Sequence, residues 1–133
     1  MKTVSSIYES RPLGNLVQEN YLNGVLKIKT RFSPTNLFEF LKKIEMELGR
    51  TDRVKWADRE IDLDILFYND LIYRDDKITI PHIGIAERDF VLKPLCDIDP
   101  EFIHPVFGIS VRELSAQNIG SNILSKVNSE LLI

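Results

Sequence analysis

Asp62 and Asp64 stand one residue apart in Arg59-Glu60-Ile61-Asp62-Leu63-Asp64-Ile65-Leu66-Phe67. Ile61, Leu63 and Ile65 alternate with them, the two-residue period of a half-buried β-strand. Side chains at i and i+2 share a face of such a strand, so the two carboxylates point the same way, roughly 6.5–7 Å apart. Anions held that close repel one another unless cations sit between or above them. Oxygen-only donors on a rigid element suit Mg²⁺, which takes one or two carboxylates and completes its shell with water and substrate phosphates. The plainer reading is an amphipathic strand with a wet face. The neighbours favour the chemical one: Arg50, Arg53, Lys55 and Arg59 precede the pair, opposed by Asp52 and Asp58, with Trp56 among them.

Other side chains carry weaker signals. Tyr21 and Asn23 lie two apart at a strand start and share a face, so a ring and an amide stand ready for a flat heterocycle. His82 follows Pro81 and reads either as a structural histidine or as a phosphate or nucleobase contact. His104, between Ile103 and Pro105, reads as structural. Trp56, the only tryptophan, is either a hydrophobic anchor or a stacking residue, and Phe90 reads first as core. The chain has no Gly-rich phosphate-binding loop, so ATP binding would not follow the P-loop pattern. No nucleophilic Ser or Cys with an adjacent base is evident.

Several elements must position these groups. Thr3 to Tyr8 reads as a strand, broken by the turn formers Ser10 to Asn15. Tyr21 to Thr30 reads as a second, with Leu22, Leu26 and Ile28 apolar and Lys27 and Lys29 in water. Ser33 can cap a helix with Pro34 at its first position. Leu37, Leu41, Ile44 and Leu48 then form one apolar stripe, and Gly49 is the expected stop. Gly49 to Arg59 is a loop, expected to be mobile and to close over a triphosphate. The Asp-bearing strand ends in the turn Tyr68-Asn69-Asp70, and Leu71–Tyr73 and Ile78–Ile80 are short strand candidates. Arg88 to Leu95 has helical spacing with Pro94 as a weak point. Ser110 and Glu113 form a capping-box signature for a short last helix, and Ser121–Ile133 also has helical spacing. The pattern is α+β.

A length of 133 residues is one domain's worth. Hydrophobic residues at 44% and charged residues at 28% describe an ordinary globular chain. A net charge of −3 argues against nucleic-acid binding, which needs a broad positive field. It also disfavours a Mg²⁺-dependent nuclease built on Asp62 and Asp64. A single cysteine, Cys96, excludes an internal disulfide and implies a reducing, cytoplasmic setting. No apolar run reaches the roughly 18 residues of a membrane span.

The ordered motifs resemble those of the 6-hydroxymethyl-7,8-dihydropterin pyrophosphokinases of folate biosynthesis. The similarity runs through Val4-Ser5-Ser6-Ile7-Tyr8-Glu9, Pro12-Leu13-Gly14, Tyr21-Leu22-Asn23, Ile44-Glu45 with Leu48-Gly49-Arg50, Trp56 with Arg59 and Asp62-Leu63-Asp64-Ile65, Pro81-His82, and Arg88 with Phe90-Val91-Leu92 and Pro94-Leu95. It implies transfer of the β,γ-diphosphate of ATP to the pterin hydroxymethyl group, with AMP released. Asp62 and Asp64 would hold two Mg²⁺ ions. Arg50 and Arg59 would be catalytic, neutralising charge at the transferred phosphorus and the bridging oxygen. Tyr21 and Phe90 would sandwich the pterin, Asn23 would bond its edge, and Ser10, Leu13 and Trp56 would complete the substrate contacts. Lys42, Glu45, Lys55, Ile65, Lys77, Thr79, His82 and Arg88 would bind the nucleotide. The implied fold is a ferredoxin-like sandwich, one pyrophosphokinase-like domain over residues 1–133. The family's N-terminal strand–helix unit is expected to be missing from it. A non-catalytic pterin- or nucleotide-binding remnant is the alternative. Partners are expected to be small molecules alone, with a monomer or weak homo-oligomer.

Overall fold

The computed structural model describes residues 2–10, 21–51, 62–118, 120 and 123–126. In chain order the elements are β1 (Lys2–Val4), β2 (Tyr8–Ser10), β3 (Tyr21–Asn23), β4 (Leu26–Ile28), α1 (Pro34–Thr51), β5 (Tyr73–Arg74), β6 (Thr79–Ile80), α2 (Asp89–Ile98), α3 (Val111–Gln117) and β7 (Ile123–Lys126). Small antiparallel sheets with helices make an α+β chain. It divides into two compact units, one of residues 1–29 with 83–133 and the other of residues 30–82. Among the described residues no helix is long and apolar enough to cross a membrane.

In the first unit, each expected N-terminal strand is broken in two. β1 pairs with β4 and β2 with β3, both antiparallel. At the break Ser5 Oγ accepts the Val25 N–H and donates to the Ser6 carbonyl. A side-chain oxygen there replaces a ladder bond, which is how serine competes with regular pairing. Gly24 sits opposite, where an added Cβ would stand 2.7 Å from Ile7 Cδ1. β1 and β4 pair only with each other among the described residues. Leu26 and Ile28, expected to be sheltered, are therefore exposed.

The core of this unit gathers Tyr8, Ile85, Phe90, Leu92, Leu95, Val111 and Leu114. Helix α2 runs through Pro94 to Ile98, past the expected weak point. Pro94 is fully buried, so burial of its ring offsets the backbone bond it cannot make. Ser110 and Glu113 form the expected capping box of α3. The helical spacing read in the tail is corrected over Ile123–Lys126, which is a strand on β2 with a register shift at Glu9/Ser10. Backbone pairing with an available edge overrides a weak local pattern. The rest of that tail lies outside the described residues.

In the second unit, Ser33 caps α1 as expected, its Oγ accepting the Asn36 N–H at 3.2 Å. Burial along the predicted stripe fades from buried Leu37 to exposed Leu48. The helix passes through Gly49 to Thr51. A glycine stops a helix only where the chain turns left-handed after it, and here it continues. β5 and β6, close to the two short strands expected, pair antiparallel as a hairpin closed by Asp75, whose carboxylate accepts the Lys77 and Ile78 N–H groups and the Tyr73 hydroxyl. These bonds hold its carboxyl below the usual range, the Ile78 N–H first.

Candidate active site

Residues 62–68 are not a paired strand, which corrects the strand reading. A period of two reports which way side chains point; a ladder also needs a neighbour, and none pairs here among the described residues. The alternation itself survives: Asp62 and Asp64 are exposed, while Leu63 and Ile65 are half-buried. Two backbone groups are tied instead. The Leu63 N–H donates to Glu45 Oε2 of α1 at 2.5 Å, and the Leu66 carbonyl accepts the His82 N–H at 2.9 Å. The segment then turns at Asn69, whose φ is 52°, as the turn reading requires. Tyr68 donates its hydroxyl to the Phe32 carbonyl, joining the end of this segment to the chain just before α1.

His82 Nε2 lies 3.7 Å from Asp64 Oδ2, within ion-pair reach but longer than a hydrogen bond. Sequence reading left His82 open between structure and ligand; its backbone is structural and its ring faces a carboxylate. Glu45 also receives Lys42 Nζ on both oxygens, at 3.1 and 3.2 Å. Lys77 and Thr79 ride on the β5–β6 hairpin, and Lys77 is exposed.

The donor set fits Mg²⁺. Among the described residues no three His, Cys, Asp or Glu side chains converge. Asp62 and Asp64 are two exposed carboxylates one residue apart, and one or two carboxylates are the sparse protein ligation that this ion favours.

The candidate pterin residues belong to the first unit. Ser10 is fully buried at the end of β2, and its hydroxyl donates to Asn23 Oδ1 at 3.3 Å. That bond engages the amide oxygen of Asn23 and turns its NH₂ group toward other partners. Tyr21 pairs with Ser10 in the ladder. Phe90 lies in the first turn of α2 and is largely buried. Arg88 caps the same helix, its guanidinium lying over Gly84, where a Cβ would come within 2.8 Å of Nε.

Sequence reading missed Asp89, beside Phe90. Its Oδ2 accepts the Ile123 N–H of β7 at 3.0 Å, and its Oδ1 is buried without a hydrogen-bond partner among the described residues. Only its place in the first helical turn, where acids are favoured, could have flagged it. Leu13, Lys55, Trp56 and Arg59, and most of the loop expected to close over a triphosphate, lie outside the described residues, as do the side chains of Tyr21 and Arg50.

Comparison with known proteins gives a consistent result. Residues 1–100 match the family profile described as 7,8-dihydro-6-hydroxymethylpterin-pyrophosphokinase. The chain is similar to the 2-amino-4-hydroxy-6-hydroxymethyldihydropteridine pyrophosphokinase of Aquifex aeolicus, 42% identical over 118 residues, covering 89% of this chain and 74% of that one. The Haemophilus influenzae protein of the same name is 43% identical over 103 residues, 77% of this chain and 64% of its own length. The folic acid synthesis protein fol1 of Schizosaccharomyces pombe is 46% identical over 102 residues, but these make up 14% of that protein. The chain therefore spans only part of each of these relatives.

Proposed function

Because the chain belongs to the 7,8-dihydro-6-hydroxymethylpterin-pyrophosphokinase family, we propose that it transfers the β,γ-diphosphate of ATP to the hydroxymethyl group of 6-hydroxymethyl-7,8-dihydropterin, releasing AMP. The observation that carries this reading is the exposed pair Asp62 and Asp64, alternating with half-buried Leu63 and Ile65. Phosphoryl-type transfer needs little covalent help from a protein; it needs alignment and countercharge. Two Mg²⁺ ions on Asp62 and Asp64 would supply that countercharge to the triphosphate. Arg50 and Arg59 offset charge on the transferred group.

Lys42, Glu45, Lys55, Ile65, Lys77, Thr79, His82 and Arg88 serve the nucleotide. Tyr21, Phe90 and Asn23 hold the pterin, with Trp56, Leu13 and Ser10 contributing. Ser10 acts from below by orienting the Asn23 amide, since its own hydroxyl is buried. A primary alcohol attacking an activated phosphorus does not require a dedicated strong base when it is aligned.

The same reading makes residues 1–133 one pyrophosphokinase-like domain of ferredoxin-like architecture. It is taken to be a cytoplasmic monomer or weak homo-oligomer acting on small molecules and not on nucleic acid. Mixing ATP, Mg²⁺ and the hydroxymethyl dihydropterin with the chain tests it. AMP and the pterin diphosphate should form in equal amounts. Binding of both substrates without AMP would leave a non-catalytic remnant instead.

A further inference from the structure

Helix α1 carries an arrangement that the nucleotide-binding assignment of Glu45 does not explain. Phe38, Lys42 and Glu45 follow at spacings of four and three, so they lie along one helix face. Lys42 Nζ stands 5.3 Å from the Phe38 ring centroid, in cation–π range. It also bonds both carboxylate oxygens of Glu45. The Glu45 side chain is only 16% exposed, and a carboxylate so sheltered must be paired and hydrogen-bonded. Lys42 provides the charge. The second bond comes from the Leu63 N–H.

That amide is a particular one. It belongs to the planar peptide unit linking Asp62 to Leu63, immediately before Asp64. No ladder partner holds this segment among the described residues, so its phase is set by local ties. Glu45 grips it at Leu63, and His82 grips it at Leu66. If the Leu63 tie were cut, the peptide between the two acids could rotate and separate their directions. Loss of a group that orients metal-binding carboxylates typically weakens metal affinity by about 10–100-fold.

We propose that Glu45, with its charge balanced by Lys42, is a positioning residue that fixes Asp62 and Asp64 on one face for divalent-metal binding, and that it serves the nucleotide through them. This rests on the pyrophosphokinase reading for its purpose, but its test uses neither pterin nor turnover. Mn²⁺ is titrated into the whole chain without nucleotide, followed by water-proton relaxation. Amide hydrogen exchange at Leu63 is followed in parallel, and metal-free ADP affinity is measured by calorimetry.

In the wild-type chain the Leu63 amide should be protected. Glu45→Ala should remove that protection and weaken Mn²⁺ binding by about 10–100-fold, a much larger factor than any change in metal-free ADP affinity. Glu45→Gln keeps an oxygen acceptor for the amide and should restore both properties. The proposal is overturned if wild-type Leu63 exchanges like free peptide, a result that needs no variant to fold. It is also overturned if the wild-type chain binds no Mn²⁺, or if Glu45→Ala leaves Mn²⁺ affinity intact. A loss of ADP affinity equal to the loss of Mn²⁺ affinity would instead make Glu45 a direct nucleotide contact. Failure of the pyrophosphokinase reading would appear separately, as absence of AMP from the wild-type chain.

Discussion

The two units of this chain are stabilised in different ways. The unit of residues 1–29 and 83–133 is built on packing, with Tyr8, Ile85, Leu92, Leu95, Val111 and Leu114 buried together. Among its long-range polar bonds, those from the Tyr8 hydroxyl to Asp97 and from the Ile123 N–H to Asp89 join strand to helix. Among the described residues, the unit of residues 30–82 buries fewer apolar side chains, chiefly Leu37, Ile78 and Ile80. It relies on ties at single backbone groups, at Leu63, Leu66 and Phe32. The candidate pterin platform is in the packed unit, and the acidic pair is in the tied one. A stacking surface gains from rigid packing. Carboxylates proposed to meet metal and phosphate must stay exposed, so hydrogen bonds to their backbone, rather than burial, orient them.

The largest expected effect lies in the tied unit. Asp62→Ala or Asp64→Ala should lower turnover by roughly 10²–10³-fold or more, while the denaturation midpoint of the apo chain stays level or rises slightly as like charges are removed. Near wild-type turnover at limiting Mg²⁺ would break the comparison, because the open carboxylates would then be idle.

Phe90→Ala probes the packed unit from both sides. Loss of a buried ring costs about 3–5 kcal/mol, and lost stacking should weaken pterin affinity far more than ATP affinity. Equal losses for the two ligands in calorimetry would leave Phe90 as core alone. Leu92→Ala should cost about 2–5 kcal/mol in denaturant, whereas Leu48→Ala, at an exposed site in the tied unit, should stay within about 0.5 kcal/mol. Similar costs at the two positions would erase the distinction.

Much of this was readable in the residues, and the failures share a cause. The Ser33 and Ser110 caps depend on neighbours in sequence and stand where expected, two short strands stand close to where they were expected, and the apolar stripe is buried at Leu37 but exposed by Leu48. The missed features depend on distant partners. Ile123–Lys126 is a strand because β2 offers an edge. Residues 62–68 lack a ladder because no strand pairs with them among the described residues. Helix α2 survives Pro94 because the ring is buried. In the site, the exposure of Asp62 and Asp64 was legible from the alternation even where the strand was not. The tie from Glu45 to Leu63 was invisible, since nothing in the sequence says which amide a glutamate 18 residues upstream will meet.

Smaller effects concern pH, and two of them fall in the packed unit. Burial, then the bond to Asp97, pushes the Tyr8 hydroxyl up to about 12. The folded chain therefore holds this proton longer than the unfolded one, whose tyrosines titrate near ~10. Its contribution is complete below that value and lost as pH rises from there through about 12. Tyr8→Phe should remove the alkaline loss, at a cost of about 1–2 kcal/mol near neutrality.

His104 runs the other way. Burial lowers its pKa, and Nδ1 accepts the Val106 and Phe107 N–H groups. Its stabilisation is present above the unfolded value near ~6.5 and declines as pH falls below it. Unfolding followed at pH 7 and again at about 5 should show the decline in the wild type and not in His104→Asn.

The central claim is that the exposed acidic pair performs the chemistry without supporting the fold. Asp64→Asn tests it most directly, because shape is kept and one charge is lost. AMP release from ATP, Mg²⁺ and the hydroxymethyl dihydropterin, and the denaturation midpoint, would be measured on the same preparation beside the wild type. The account predicts that AMP release falls by about 10²-fold or more with an unchanged midpoint. Undiminished AMP release, or a midpoint that falls together with activity, would contradict it.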